Sequence, residues 1–85
     1  MQLLWEDRAW SDYLYWQGQD KKTLKKLNEL IKEIQRNPNG SLGKAEALKY
    51  SLTGLYSRRI NSKDRLVYFI KDDIIHIVAC RGHYE

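Results

Sequence analysis

The chain has 85 residues, the size of a single domain spanning residues 1–85. Fifteen basic against eleven acidic side chains give a net charge of +4, which favours a polyanionic partner. A single cysteine excludes an internal disulfide, and no stretch reads as a signal peptide or membrane span, so the expected location is the cytoplasm, with no membrane association.

Gln2 to Trp5 reads as a short apolar strand. Glu6 and Asp7 then stand where carboxylates suit the positive end of a helix, and Trp10 and Leu14 repeat at helical spacing. Gly18 is the expected stop and Asp20 the expected N-cap of a second helix. Leu24, Leu27, Leu30, Ile31 and Ile34 make the apolar stripe of that helix, with most of its lysines off the stripe. Asn37-Pro38-Asn39-Gly40 ends it. A glycine-containing loop follows from Asn37 to Ala47, long for so small a domain and for that reason a functional candidate.

Three strands are predicted after the loop: Gly54 to Ile60, Arg65 to Ile70 and Ile74 to Arg81. Their turns are Asn61 to Asp64 and Lys71-Asp72-Asp73. The element order is β-α-α-β-β-β. A core this thin leaves stability marginal without a partner or a homodimer, although ten aromatic residues carry much buried area.

Strand register decides which charged groups can meet. A two-residue turn at Asp72-Asp73 pairs Tyr68 with Ile77 and Leu66 with Ala79, turning these side chains towards the helices. Arg65, Val67, Phe69, His76, Val78 and Cys80 then share the other face. Arg59 joins Arg65 there only if the loop between their strands has an odd number of residues. Strict alternation points His83 away from Arg65, and Gly82 is able to break that alternation. Arg58 points to the opposite side from Arg59. One cysteine and two histidines without metal-ligand spacing point to no metal and no cofactor.

The last residues, Cys80-Arg81-Gly82-His83-Tyr84-Glu85, bring a proton-transfer group and a phenol to the end of a strand. Arg58-Arg59 and Arg65 lie upstream, with side chains whose planar fork suits phosphate. Histidine and arginines on a basic domain are what RNA cleavage without a metal needs.

Six segments in order together resemble the YoeB toxins of bacterial toxin–antitoxin pairs, within the RelE-like group. They are Trp10 to Gln17, Lys25 to Lys32, Gly43 to Lys49, Ser57 to Ile60, Arg65 to Tyr68 and Cys80 to Tyr84. The resemblance implies an α+β fold with two N-terminal helices packed on a small antiparallel sheet. It implies a toxin that enters the ribosomal A site and cuts mRNA there by attack of a ribose 2′-hydroxyl on the adjacent phosphate. It also implies neutralisation by a YefM-type antitoxin, with promoter DNA contacted only through that antitoxin. By motif, Glu46 is the expected general base, His83 the general acid and Arg65 the group that balances charge on the phosphate. Lys49, Arg59 and Tyr84 are expected to support substrate binding. Ala45 and Ala47 stand where relatives often have prolines, which predicts a less rigid or partly helical segment around Glu46. The alternative is a non-catalytic toxin of the RelE/ParE fold, or a co-repressor acting only with its antitoxin.

Overall fold

Two helices cover one face of a five-stranded sheet in the computed structural model, which describes residues 1–40 and 42–83. The elements in chain order are β1 (Gln2–Trp5), α1 (Asp7–Gln19), α2 (Lys21–Arg36), β2 (Glu46–Ala47), β3 (Tyr56–Arg59), β4 (Arg65–Lys71) and β5 (Ile74–Ala79). A single 3₁₀ turn at Tyr50–Leu52 separates β2 from β3. The expected β-α-α-β-β-β order holds, with the two-residue β2 as an additional edge strand.

The sheet order is β1-β5-β4-β3-β2. β1 runs parallel to β5 and the other pairs are antiparallel, so the sheet is mixed. α1 passes through Gly18 without stopping and ends at Gln19, one residue before the expected cap. Asp20 caps α2, its carboxylate accepting from the Lys22 and Thr23 amides at 3.1 Å and from the Thr23 hydroxyl at 2.7 Å. These bonds, the Thr23 hydroxyl first, hold its carboxyl below the usual range.

The main core lies between the helices and the sheet. Leu27, Leu30 and Ile34 of α2 are fully buried against Leu66, Ile75 and Ile77, while Leu24 is only half-buried at its margin. Trp16 of α1 locks the C-terminal end of β5, its indole N–H donating to the Cys80 carbonyl at 2.8 Å. Asp12 takes the Cys80 amide at 3.0 Å. Burial pushes the Cys80 thiol up to about 12, with the Asp12 carboxylate adding to the effect. Cys80 is therefore a buried packing residue and not a nucleophile. Trp5, Trp10 and Tyr13 cluster at the β1 edge, where Trp10 and Leu14 remain exposed.

The Asp72-Asp73 turn is the predicted two-residue hairpin, with φ of +55° and +60°, the positive angles a type I′ turn requires. Tyr68 pairs with Ile77 as expected. Leu66 does not pair with Ala79. A bulge lets Val67 take Ala79, leaving Val78 as the extra residue on β5. Alternation therefore breaks one step early. Ala79 turns to the second face beside Val67 and Val78, and Cys80 turns back towards the helices.

Candidate functional site on the helix-free face

The face of the sheet away from the helices carries a small apolar floor and a charged rim. Val67, Val78 and Ala79 form the floor, with Leu48, Leu55 and Phe69 packed at one end. His76 belongs to that end, stacked on Phe69 with ring centroids 4.4 Å apart.

The register assembles the charged groups. Arg59 stands directly opposite Arg65, because the connection between β3 and β4 holds five residues and not the four of the predicted turn. The odd count puts both guanidinium side chains on one face. The turn is built by Asn61, whose side-chain oxygen accepts the Lys63 and Asp64 amides at 2.8 Å each. Like charges placed opposite each other are destabilising. Among the described residues no carboxylate lies within ion-pair reach of either arginine.

Glu46 enters the same face from β2. It pairs with Ser57, and Ser57 pairs with Val67, so the three side chains form one row across the sheet. Arg59 lies two residues further along β3 than Ser57, about 7 Å at strand spacing. The segment around Glu46 is extended and paired, where a less rigid or partly helical one is expected from the alanines at 45 and 47. Glu46 is exposed, whereas the Ser57 hydroxyl is buried without a hydrogen-bond partner in the structure.

His83 reaches this end of the sheet through Gly82, which has φ of +81°. The Gly82 amide donates to the Asp64 carboxylate at 2.7 Å, and its carbonyl accepts from the Arg65 amide at 3.1 Å. These two bonds dock the segment beside Arg65, and exposed His83 is the next residue. Asp64 is the contact at this end of the sheet that sequence reasoning missed. In the sequence it reads as the end of a turn, and its bond to the Gly82 amide reveals it as an anchor.

The remaining candidates separate. Lys49 is exposed at the N-cap of the 3₁₀ turn, one step out of phase with Glu46 and Leu48, so it is not drawn into the row. Tyr84 lies outside the described residues. Arg58 is fully buried on the helix side, donating to the Tyr68 hydroxyl at 3.0 Å and to the Leu42 and Pro38 carbonyls at 3.3 and 3.2 Å. Arg81 stacks on Tyr15 of α1, 3.5 Å from its ring centroid, away from the site. No group of three His, Cys, Asp or Glu side chains is gathered as metal ligands among the described residues. No helix among them is long and apolar enough to cross a membrane.

Comparison with known proteins identifies relatives over the full domain. Toxin YoeB of Escherichia coli (strain K12) is 52% identical over 84 residues, covering 99% of this chain and 100% of the relative. The Staphylococcus aureus YoeB dimer superposes with a TM-score of 0.91 at 48% identity, covering 99% of this chain and 98% of that one. The S. aureus YoeB–YefM toxin–antitoxin heterotetramer contains a chain that superposes at 0.90 with 48% identity and the same coverage. The model of the YoeB-like toxins matches residues 5–84. With the two-helix, five-stranded fold on the same scale as these relatives, the chain belongs to the YoeB-like toxins of bacterial type II toxin–antitoxin systems.

Proposed function

We propose that this toxin is a ribosome-dependent endoribonuclease that cuts mRNA in the A site and so inhibits translation. The observation that carries this reading is the opposed Arg59–Arg65 pair with no carboxylate partner among the described residues. Two like charges held together at the rim of an apolar floor suit a phosphate that lies between them. Glu46 in the adjoining row is the base of this reading, and His83, next to the segment bonded to Arg65, is its acid.

In this mechanism the Glu46 carboxylate takes the proton from a ribose 2′-hydroxyl. The 2′-oxygen attacks the adjacent phosphorus, and Arg65 and Arg59 balance the charge that builds on the phosphorane. His83 gives its proton to the leaving 5′-oxygen. The products are a 2′,3′-cyclic phosphate and a free 5′-hydroxyl. Lys49 and Tyr84 support binding of the flanking nucleotides, Tyr84 by stacking on a base. The site is open and small, so the in-line geometry must come from the ribosome holding the message, with the entropy of alignment met before the toxin acts.

The partner we propose is an antitoxin of the YefM type, such as the one with which the S. aureus relative forms its heterotetramer. A homodimer, the state in which that relative is also known, fits the exposed Trp10 and Leu14. Promoter DNA is contacted through the antitoxin, and the site of action is the cytoplasm. A purely inhibitory toxin of this fold has no need of an acid and a base around paired arginines.

The test is a programmed ribosome carrying a message with one 2′-deoxy nucleotide just upstream of the cut. The expected result is loss of cleavage at that bond alone. Unchanged cleavage there excludes the 2′-hydroxyl as nucleophile and overturns the reading.

A further inference from the structure

Between α2 and β3 lies a groove on the flank of the site. Lys26 of α2, Gly43 and Lys44 of the incoming loop, and Arg59, Asn61 and Ser62 line it. Gly43 brings these walls together. It has φ of +75°, and a side chain there would meet the Leu30 Cδ2 at 2.8 Å and the Arg59 carbonyl oxygen at 3.0 Å. Its own carbonyl accepts the Arg59 amide at 2.7 Å. The loop is thus pressed into the seam between helix and sheet, where only glycine fits. The next residue, Lys44, is held at φ of +52°, a backbone state that disfavours side-chain-bearing residues.

The result is a groove with two lysines in its lining, Lys26 and Lys44, and the Arg59 backbone at its seam. No carboxylate lines it, and among the described residues none lies within ion-pair reach of Lys26, Lys44 or Arg59. Asn61 and Ser62 add polar side chains at the rim. Lysines suit sequence-independent contact with a nucleic-acid backbone, since each presents a point charge and reads no base.

We propose that the Lys26–Lys44–Arg59 groove is a second phosphate site, which grips an RNA phosphodiester beyond the one held at the Arg59–Arg65 pair. Arg59 lines this groove and stands opposite Arg65 in the other site, so the two sites adjoin. The proposal rests on the RNA-cutting reading for the identity of the ligand. The same phosphodiester chemistry is offered by the message and by ribosomal RNA, and the experiment separates them.

The probe for the first arm is a short fluorescent RNA methylated at every 2′-oxygen, so that it binds without being cut. Affinity is measured against salt for the wild-type toxin, for Lys26→Gln/Lys44→Gln, and for a control pair, Lys32→Gln/Lys71→Gln, with equal charge loss elsewhere. Each phosphate contact on a single strand contributes about 0.7 to the slope of log K against log salt, so losing two flattens it by about 1.4. The second arm measures the same proteins on ribosomes without message. Flattening in the first arm assigns the groove to the message, and flattening in the second assigns it to ribosomal RNA. The charge-conserving Lys26→Arg/Lys44→Arg pair should keep the wild-type slope. If neither arm distinguishes Lys26→Gln/Lys44→Gln from the control pair, the groove holds no phosphate and the proposal is overturned. Binding is read without cleavage, so a flattened slope in a protein that fails to cut RNA would count against the catalytic reading and not against the groove.

Discussion

Replacing Asp64 by alanine tests whether the His83 segment is held in place by the bond seen at its base. The Asp64 carboxylate accepts the Gly82 amide at 2.7 Å, the Arg65 amide donates to the Gly82 carbonyl at 3.1 Å, and Arg81 before them is held by Arg8 and Tyr15. A hydrogen bond to a charged group is worth about 1.5–3 kcal/mol net, and Asp64 is half-exposed, which argues for the lower end. About 1.4 kcal/mol is a factor of ten in an equilibrium, so Asp64→Ala should lower the docking constant about tenfold, and the docked population by as much where docking is marginal. The assay is cleavage of message on programmed ribosomes, with kcat and KM separated. Asp64 is a positioning residue, so kcat should fall about tenfold. KM should stay level or drop, because removing a negative charge near Arg65 favours phosphate. Asp64→Asn keeps an acceptor and should recover part of the loss. A folded Asp64→Ala protein with kcat within about twofold of wild type would refute the reasoning.

Four further outcomes follow from the same geometry. Glu46→Ala and His83→Ala should each slow cleavage by about a hundred- to ten-thousand-fold, and the double mutant should lose less than the product, read by single-turnover cutting on ribosomes. Arg58→Leu leaves the buried Tyr68 hydroxyl without its partner and frees the Leu42 and Pro38 carbonyls of the loop, and should cost about 1–3 kcal/mol by denaturant unfolding. The Cys80 thiol is raised from 9.0 to about 12, so its contribution to stability is full below pH 9 and fades as pH rises towards 12; Cys80→Ala should flatten that part of the stability profile, measured by urea melts. An antitoxin of the YefM type at a hundredfold its Kd should add about 2.7 kcal/mol and raise the melting midpoint by roughly 10 °C or more, checked by calorimetry.

Local chemistry made much of the fold legible. Asp20 is readable as a cap because its side chain competes for free amides three residues ahead, and the α2 stripe is readable because burial repeats with the helical turn. Arg58 and Arg59 separate correctly by alternation alone, one into the core and one into the site. What stayed hidden depended on pairing across distance. β2 has only Glu46 and Ala47, with no β-branched run to mark it, and it exists because β3 offers an open edge. The parity of the Arg59–Arg65 connection turns on whether Ile60 belongs to strand or loop, a single residue that local pattern does not decide. The bulge at Val78 carries no glycine to announce it, so Ala79 and Cys80 are placed on the wrong faces by counting in twos. Asp64 was hidden because its partner is a backbone amide.

The position of β5 has a consequence for how the toxin comes into being. It is the last described strand, yet it lies inside the sheet between β1 and β4, and its end is tied to α1 by a bond spanning 68 residues. Closing so long a loop must precede the contacts that reward it. While the chain is being translated, β1 has no neighbour to pair with and the helices have no completed surface to cover. The helix pair and the β2–β3–β4 meander need nothing from β5, but β1 has no place in the sheet until β5 is there. The sheet is completed in one step, when β5 inserts between β1 and β4 and joins the N-terminal strand to the meander.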